Sequence, residues 1–154
     1  MKTLHQVAEN IRRCTLCPLW KGRTLPISGD GSESAKVVII VSSPSVDEDR
    51  VGTIDFSDEY RSLALLLKES LDTPCFITPI VKCHPQKRKE TQTEIETCGQ
   101  YLEQQLKIIN PKIVIFCGEF ESINPMVTLG AKVFMVQKEL DIGHCILKIK
   151  ELLC

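Results

Sequence analysis

Short runs of consecutive β-branched and other apolar residues constrain the fold of this chain more than any other feature of its sequence. Residues 36–41 and 112–117 are such runs, and residues 76–81 and 132–136 are two further short apolar segments. Apolar runs without polar alternation are typical of strands that are buried on both faces of a sheet. We therefore interpret the four segments as strands.

Helical patterns separate these strands. Apolar spacing predicts helices over residues 5–13 and 59–71, and the tail from 142 to 153 suits a helix better than a strand. Thr91-Gln-Thr-Glu94 has the capping-box pattern and opens another helix, which Asn110-Pro111 ends. The alternation predicts βαβ units, and hence an α/β fold with a mostly parallel four-stranded sheet. Ligand sites in such sheets lie beyond the carboxyl ends of the strands.

Length and charge restrict the classes of function. The 154 residues correspond to about one domain, so we treat residues 1–154 as a single domain. Nineteen basic and 20 acidic residues give a net charge of −1, which provides no global basic field for nucleic acid. Any evidence for DNA binding must therefore be local. We expect a cytoplasmic location without membrane contact, because the chain lacks both a long apolar run and a signal-peptide pattern.

Eight cysteines are many for a cytosolic chain, and they suggest metal binding or catalysis more than disulfides. Cys14 and Cys17 form a C-x2-C pair, which lets two thiolates reach one metal centre from a tight turn. Cys83 follows the second predicted strand, and Cys98 lies in the capped helix. The other four cysteines, which we interpret as small hydrophobic residues, are Cys75, Cys117, Cys145 and Cys154.

Three interpretations of the first four cysteines remain open on spacing alone. A set of four cysteines can hold an iron–sulfur cluster or a structural zinc ion. Zinc ribbons usually bring two C-x2-C pairs, whereas this chain has one pair and two dispersed cysteines. The third interpretation is a set of ordinary buried cysteines in which the C-x2-C spacing arises by chance.

The sequence around these cysteines resembles the family-4, iron–sulfur uracil-DNA glycosylases. The similar segments are IRRCTLCPL at 11–19, ITPIVKCHP at 77–85, TEIETC at 93–98 and NPKIV at 110–114. The resemblance implies a three-layer α/β sandwich and a [4Fe–4S] cluster on Cys14, Cys17, Cys83 and Cys98. It also implies a DNA partner and hydrolysis of the N-glycosidic bond of a flipped uracil. In that family the cluster is structural and lies close to the DNA-binding surface.

Basic residues flank the four cysteines in sequence. Such residues could form a patch that faces DNA phosphates, or a solvated loop that partly offsets the negative charge of thiolates. The flanking basic residues are Arg12, Arg13, Lys21, Arg23, Lys82, His84, Lys87, Arg88 and Lys89.

The residues expected to form the substrate pocket depart from the family pattern. The family motif Gly-Glu-Ala-Pro-Gly corresponds to Val41-Ser42-Ser43-Pro44-Ser45, so the acidic residue is replaced by Ser42. A neutral hydroxyl cannot stabilise developing positive charge as a carboxylate does. Pro79 replaces the asparagine that reads the polar edge of uracil, and it offers no side-chain hydrogen bond. Phe56 could stack on a base or belong to the core.

The third family motif, a His-Pro pair after the last strand, is also altered. Gln137-Lys138 occupies the expected position, and His144 followed by Cys145 is an alternative alignment. Asp47 is an acid near the altered first motif, although its position matches no required acid. Asp47 and His144 are therefore the only candidate catalytic residues that the sequence offers.

These patterns lead to three hypotheses. The first is a glycosylase-like protein that binds nucleic acid or a protein partner, with little or no uracil excision. The second is an active DNA repair glycosylase with a rearranged site, acting on uracil or another base as an N-glycosidic hydrolase. The third is a structural cluster protein without DNA affinity. The sequence does not specify an oligomeric state.

Overall fold

The computed structural model describes residues 2–120 and 129–154. Its strands are β1 Asp30–Gly31, β2 Val37–Val41, β3 Cys75–Pro79, β4 Ile113–Cys117 and β5 Lys132–Val136. Its α-helices are α1 Leu4–Arg12, α2 Val46–Val51, α3 Glu59–Ser70, α4 Gln92–Ile109 and α5 Glu139–Leu153, and a short 3-10 helix spans Pro18–Lys21.

The strands form one sheet in the order β1-β3-β2-β4-β5, in which only β1 is antiparallel to its neighbour. This confirms the predicted α/β class with a mostly parallel sheet. Within residues 2–120 and 129–154 the sheet has five strands rather than the predicted four. The additional strand, β1, has two residues, a length that gives no periodic pattern, and it exists because Asp30 and Gly31 pair with β3.

Helices cover both faces of the sheet, as in a three-layer sandwich. The odd-numbered residues of β2, Val37, Ile39 and Val41, pack with α3 and α5. The even-numbered residues Val38 and Ile40 pack with α4 on the opposite face. All five side chains are buried, which explains why this strand is apolar at every position.

A third buried cluster joins α1 to α4 beside the edge of the sheet. It contains Val7 and Ile11 of α1, Leu19 of the 3-10 helix and Tyr101 of α4. Cys83 and Cys98 belong to the same cluster. The predicted cysteine set therefore lies at the junction of α1, the 3-10 helix and α4.

Side-chain caps fix the helix starts. The predicted capping box at α4 is present. The Thr91 hydroxyl accepts a hydrogen bond from the Glu94 backbone N–H, and the Glu94 carboxylate accepts one from the Thr91 backbone N–H. Ser45 and Glu48 form an equivalent box at α2, a helix that the sequence analysis did not predict. The tail is helical as predicted but begins earlier, at Glu139.

No helix in the described ranges 2–120 and 129–154 is both long enough and apolar enough to cross a membrane.

Gly31 tests the importance of the β1–β3 pairing. Its φ of +136° disfavours other residues, and an added Cβ would overlap the Cys75 carbonyl oxygen and lie 2.7 Å from the Phe76 Cα. We expect Gly31→Ala to lower the free energy of unfolding by about 2 kcal/mol in urea denaturation. Gly143→Ala, in α5 where an added Cβ meets no atom within 4 Å, should raise it by about 0.5–1 kcal/mol. Equal effects of the two substitutions would contradict this account.

Candidate functional site

The four cysteines predicted to bind metal line one cavity. Cys14 follows α1, Cys17 precedes the 3-10 helix, Cys83 follows β3 and Cys98 lies in α4. Cys83 and Cys98 are buried, whereas Cys14 and Cys17 are half-buried. Segments far apart in the sequence thus bring four thiols to one place.

Two N–H groups point at the buried sulfur atoms. The Arg23 guanidinium lies 3.2 Å from the Cys83 Sγ, and the Lys82 amide lies 3.4 Å from the Cys98 Sγ. Burial raises the pKa of Cys98 to about 11, and it also raises the pKa of Cys83, although Arg23 opposes that rise. Burial therefore favours the neutral thiols, while the N–H donors favour the thiolate form that binds metal.

The four thiols form a donor set that suits two kinds of metal group. In the described part of the chain, no three cysteine, histidine or acidic side chains lie close enough to hold one metal ion. Four thiolates can hold a tetrahedral zinc ion or an iron–sulfur cluster. The residues that line the cavity therefore fit either group.

The other four cysteines do not join this cavity. Cys75, Cys117 and Cys145 are buried in the core between the sheet and the α3–α5 layer, as expected for small hydrophobic residues. Burial raises the pKa of Cys117 to about 12. Cys154 is exposed, so its interpretation as a buried hydrophobic residue was wrong. It is the last residue of the chain and follows the end of α5.

Lys82 does not belong to a surface patch, contrary to the sequence interpretation. Its ammonium group is buried and donates to the Pro79 carbonyl and to Gln105, both at 2.9 Å, and to the Thr78 hydroxyl. Burial lowers the pKa of Lys82 to about 8. Lys82 therefore joins the end of β3 to α4 and is not available to a phosphate.

Several of the remaining basic residues are held by partners. Arg23 also donates to the Arg12 carbonyl at 2.9 Å, and Arg88 forms an ion pair of 2.6 Å with Glu94. Arg13, Lys21 and Lys87 are exposed. The surface charge beside the cysteine site therefore comes from fewer residues than the sequence suggested.

The predicted pocket residues meet at the carboxyl ends of β2 and β3. Val41 and Pro79 are directly paired, so the Ser42–Ser43–Pro44 loop begins beside Pro79. His84 Nδ1 lies 2.6 Å from the Pro44 carbonyl oxygen, and the Ser43 hydroxyl donates to Glu90 at 3.0 Å. These two hydrogen bonds join the loop after β3 to the loop after β2.

A buried ion pair lies directly behind Ser42. The side chains of Arg61 and Glu48 are 2% and 0% exposed, and the Arg61 Nε lies 2.7 Å from the Glu48 Oε2. Arg61 also donates to the Ser42 hydroxyl and to the Ser42 and Ser43 carbonyl oxygens, each at 3.1 Å, and to Asp58 at 3.2 Å. The guanidinium group thus uses its donors to fix the loop that carries the altered family motif.

The other candidate residues lie apart from this network. The Asp47 side chain is 70% exposed on α2, and its nearest ion-pair partner, Arg50, is 4.0 Å away. His144 is exposed on α5. Phe56 is half-buried and packs against the core that contains α3 and α5. Asp47 and His144 therefore face solvent on two different helices.

The uracil DNA glycosylase superfamily model matches residues 28–133, which include strands β1 to β4, the loop after β2 and two of the four cysteines. This chain belongs to the uracil DNA glycosylase superfamily. Relatives named type-4 uracil-DNA glycosylase are 32% identical over 77% of this chain in Sulfurisphaera tokodaii, 33% over 73% in Thermotoga maritima and 32% over 78% in Archaeoglobus fulgidus. The chain spans 56%, 60% and 62% of the lengths of these relatives.

Within this superfamily scaffold, sequence reasoning missed Arg61 and the structural role of Glu48. The Ser45-x-x-Glu48 spacing is a capping-box signal that would have identified α2. Arg61 lies three residues before Ala64 and six before Leu67, both buried, so helical spacing places it on the buried face of α3. A charged residue is normally expected at the surface, so the burial of Arg61 was not predicted.

The Glu48–Arg61 pair can be tested by removing one charge. Glu48→Gln leaves the Arg61 guanidinium buried without its closest counter-charge, and we expect the free energy of unfolding to fall by about 3 kcal/mol. Asp47→Asn, on the exposed side of the same helix, should change it by less than about 0.5 kcal/mol. Urea denaturation monitored by circular dichroism gives both values, and a Glu48→Gln protein as stable as Asp47→Asn would contradict the importance of the pair.

Proposed function

We propose that this superfamily member binds DNA beside a structural iron–sulfur cluster and excises uracil weakly or not at all. The observation that carries the proposal is the hydrogen bond from buried Arg61 to Ser42, at the position where the family motif has glutamate. The Ser42 hydroxyl is neutral and accepts this hydrogen bond, so no carboxylate stands at that point of the pocket. We further propose that residues 1–154 act as one domain.

The chemistry of excision explains why this exchange matters. Hydrolysis of the N-glycosidic bond develops positive charge on the sugar, which a nearby carboxylate stabilises and a neutral hydroxyl does not. The Glu48 carboxylate cannot substitute, because both of its oxygens are occupied by Arg61 and by the Ser45 and Asp55 amides. Pro79 supplies no side-chain hydrogen bond to a base. The pocket residues therefore support binding better than bond cleavage.

A [4Fe–4S] cluster on Cys14, Cys17, Cys83 and Cys98 is part of the same proposal. The four thiols share one cavity, and Arg23 and the Lys82 amide donate toward two of the sulfurs. The cluster would cross-link α1, the loop after β3 and α4. Zinc is the alternative metal. Eight cysteines, several of them buried thiols, suit a reducing compartment, and we place the chain in the cytoplasm on that ground.

Local charge supports DNA as the partner. Apart from the buried Lys82, residues 11–23 and 83–89 together carry seven of the 19 lysines and arginines, four in the first segment and three in the second, and none of the 20 acidic residues. The fold brings the two segments together, since Arg23 contacts Cys83 and Gln86 donates to the Gly22 carbonyl. A near-neutral chain thus concentrates positive charge beside the cysteine cavity, where phosphates would be attracted.

Metal content tests the cluster. Protein purified anaerobically should contain about four iron and four acid-labile sulfide per chain, with little zinc. Cys83→Ser should lose most of both, whereas Cys154→Ser, which removes an exposed thiol outside the cavity, should retain them. One equivalent of zinc without sulfide would contradict the cluster.

Uracil excision tests the altered pocket. We expect single-stranded and duplex oligonucleotides carrying one uracil to be bound, with affinity that falls as salt rises, but not converted to abasic sites above background. Abasic-site formation that is lost in Asp47→Asn would contradict the proposal and favour a rearranged active glycosylase. The absence of any salt-dependent DNA binding would instead favour a structural or protein-binding role.

A further inference from the structure

We infer that Trp20 is a stacking platform for an unpaired base, and that the DNA bound beside the cysteine site is single-stranded. This inference rests on the proposed DNA binding and specifies the strand state that the surface accepts.

Trp20 is unusually accessible for its residue type. It lies in the 3-10 helix Pro18–Lys21 and is 40% exposed, and Leu16 nearby is 57% exposed. Both residues also line the wall of the cysteine cavity. A partly exposed aromatic ring therefore lies at the surface, close to the predicted cluster.

Neighbouring packing explains this position. Pro18 occupies the first turn of the 3-10 helix, and Leu19 is buried with Val7 and Ile11 of α1. Because Leu19 anchors the short helix to the core, the next residue is left at the surface. The backbone that carries the indole is thus fixed by packing and is not a free loop. Binding of a base would therefore cost less conformational entropy.

The surroundings of Trp20 are cationic. Arg13 and Lys21 are exposed on the same segment, and Lys87 is exposed on the facing loop. An open groove of about 310 Å³ is lined by Pro18, Leu19 and Gly22 on one side and by residues 85–88 on the other. The hydrogen bond from Gln86 to Gly22 joins its two walls. Trp20 follows Leu19 in the chain and lines the neighbouring cysteine cavity. A positively charged groove with an exposed aromatic ring beside it is the combination that binds single-stranded nucleic acid.

The aromatic ring distinguishes between possible polyanions. Every base has a π-face that can stack on indole, but in a duplex those faces are covered by neighbouring base pairs. A duplex could therefore contact Arg13, Lys21 and Lys87 through its phosphates without using Trp20. An acidic protein partner would use the same cations but would not require a flat aromatic surface.

A second role for Trp20 would be to shield the cysteine cavity from water, and two substitutions separate the roles. Trp20→Leu keeps an apolar cover but removes the aromatic face, whereas Trp20→Phe keeps both. Binding of a fluorescein-labelled mixed-sequence oligonucleotide without uracil, single-stranded or as a duplex, is measured by anisotropy with the cluster-loaded protein at one salt concentration. The visible absorbance of the cluster reports its loading in each variant.

We expect Trp20→Leu to bind the single strand roughly tenfold more weakly than wild type, with Trp20→Phe within about threefold of wild type. Neither substitution should change duplex affinity. Equal single-strand affinity of the loaded Leu and Phe variants would overturn the inference and leave DNA binding intact. An equal loss for duplex and single strand would also overturn it. If wild type binds neither DNA, both the inference and the proposed DNA binding fail.

The wild-type chain provides a measurement that needs no variant. Trp20 is its only tryptophan, so its emission reports this site alone. Stacking should change the tryptophan emission in a saturable way as single-stranded DNA is added, and the duplex should not. A saturable change of equal size with the duplex would overturn the inference, whether or not the variants fold.

Discussion

Strand β2 lies at the centre of the sheet, hydrogen-bonded to β3 on one side and to β4 on the other. Its five residues are buried between α4 on one face and α3 with α5 on the other. Parallel pairing aligns the carboxyl ends of β2 and β3, so that Val41 lies opposite Pro79. That register sets where the two following loops meet. The altered pocket motif and the segment leading to Cys83 are neighbours for this reason.

The loop after β2 is also held by hydrogen bonds from Arg61, a charged residue that the apolar core would exclude if it had no partners. Arg61 is tolerated because Glu48 neutralises it and because the serine carbonyls and Asp58 accept its remaining N–H groups. A buried pair of this kind does more to fix one conformation than to increase stability. Here it holds the backbone of the family motif, in which the neutral Ser42 stands at the position of the acidic residue. The superfamily scaffold and the altered pocket are thus parts of one hydrogen-bonded network.

Much of this was accessible from the sequence, and the exceptions have physical causes. The β-branched runs gave the position of every parallel strand to within about two residues, and the Thr91–Glu94 box gave the start of α4. Strand β1 was not predicted, because two residues are too few to show a periodic pattern and they form a strand only by pairing with β3. Lys82 was assigned to a surface patch because charge normally implies exposure, yet Thr78, Pro79 and Gln105 satisfy its ammonium group in the interior.

The sequence by itself determined the α/β class, the four cysteines that stand out by their spacing and context, and the family residues missing at Ser42 and Pro79. Those are properties of residue type and local order, which the chain carries whether or not it is folded. Tertiary structure decided which charges remain at the surface, that Arg61 fills the space behind Ser42, and that Trp20 stays exposed beside the cysteine cavity. These depend on contacts between segments tens of residues apart, because burial and hydrogen-bond partners are set by packing and not by the neighbours of a residue in sequence.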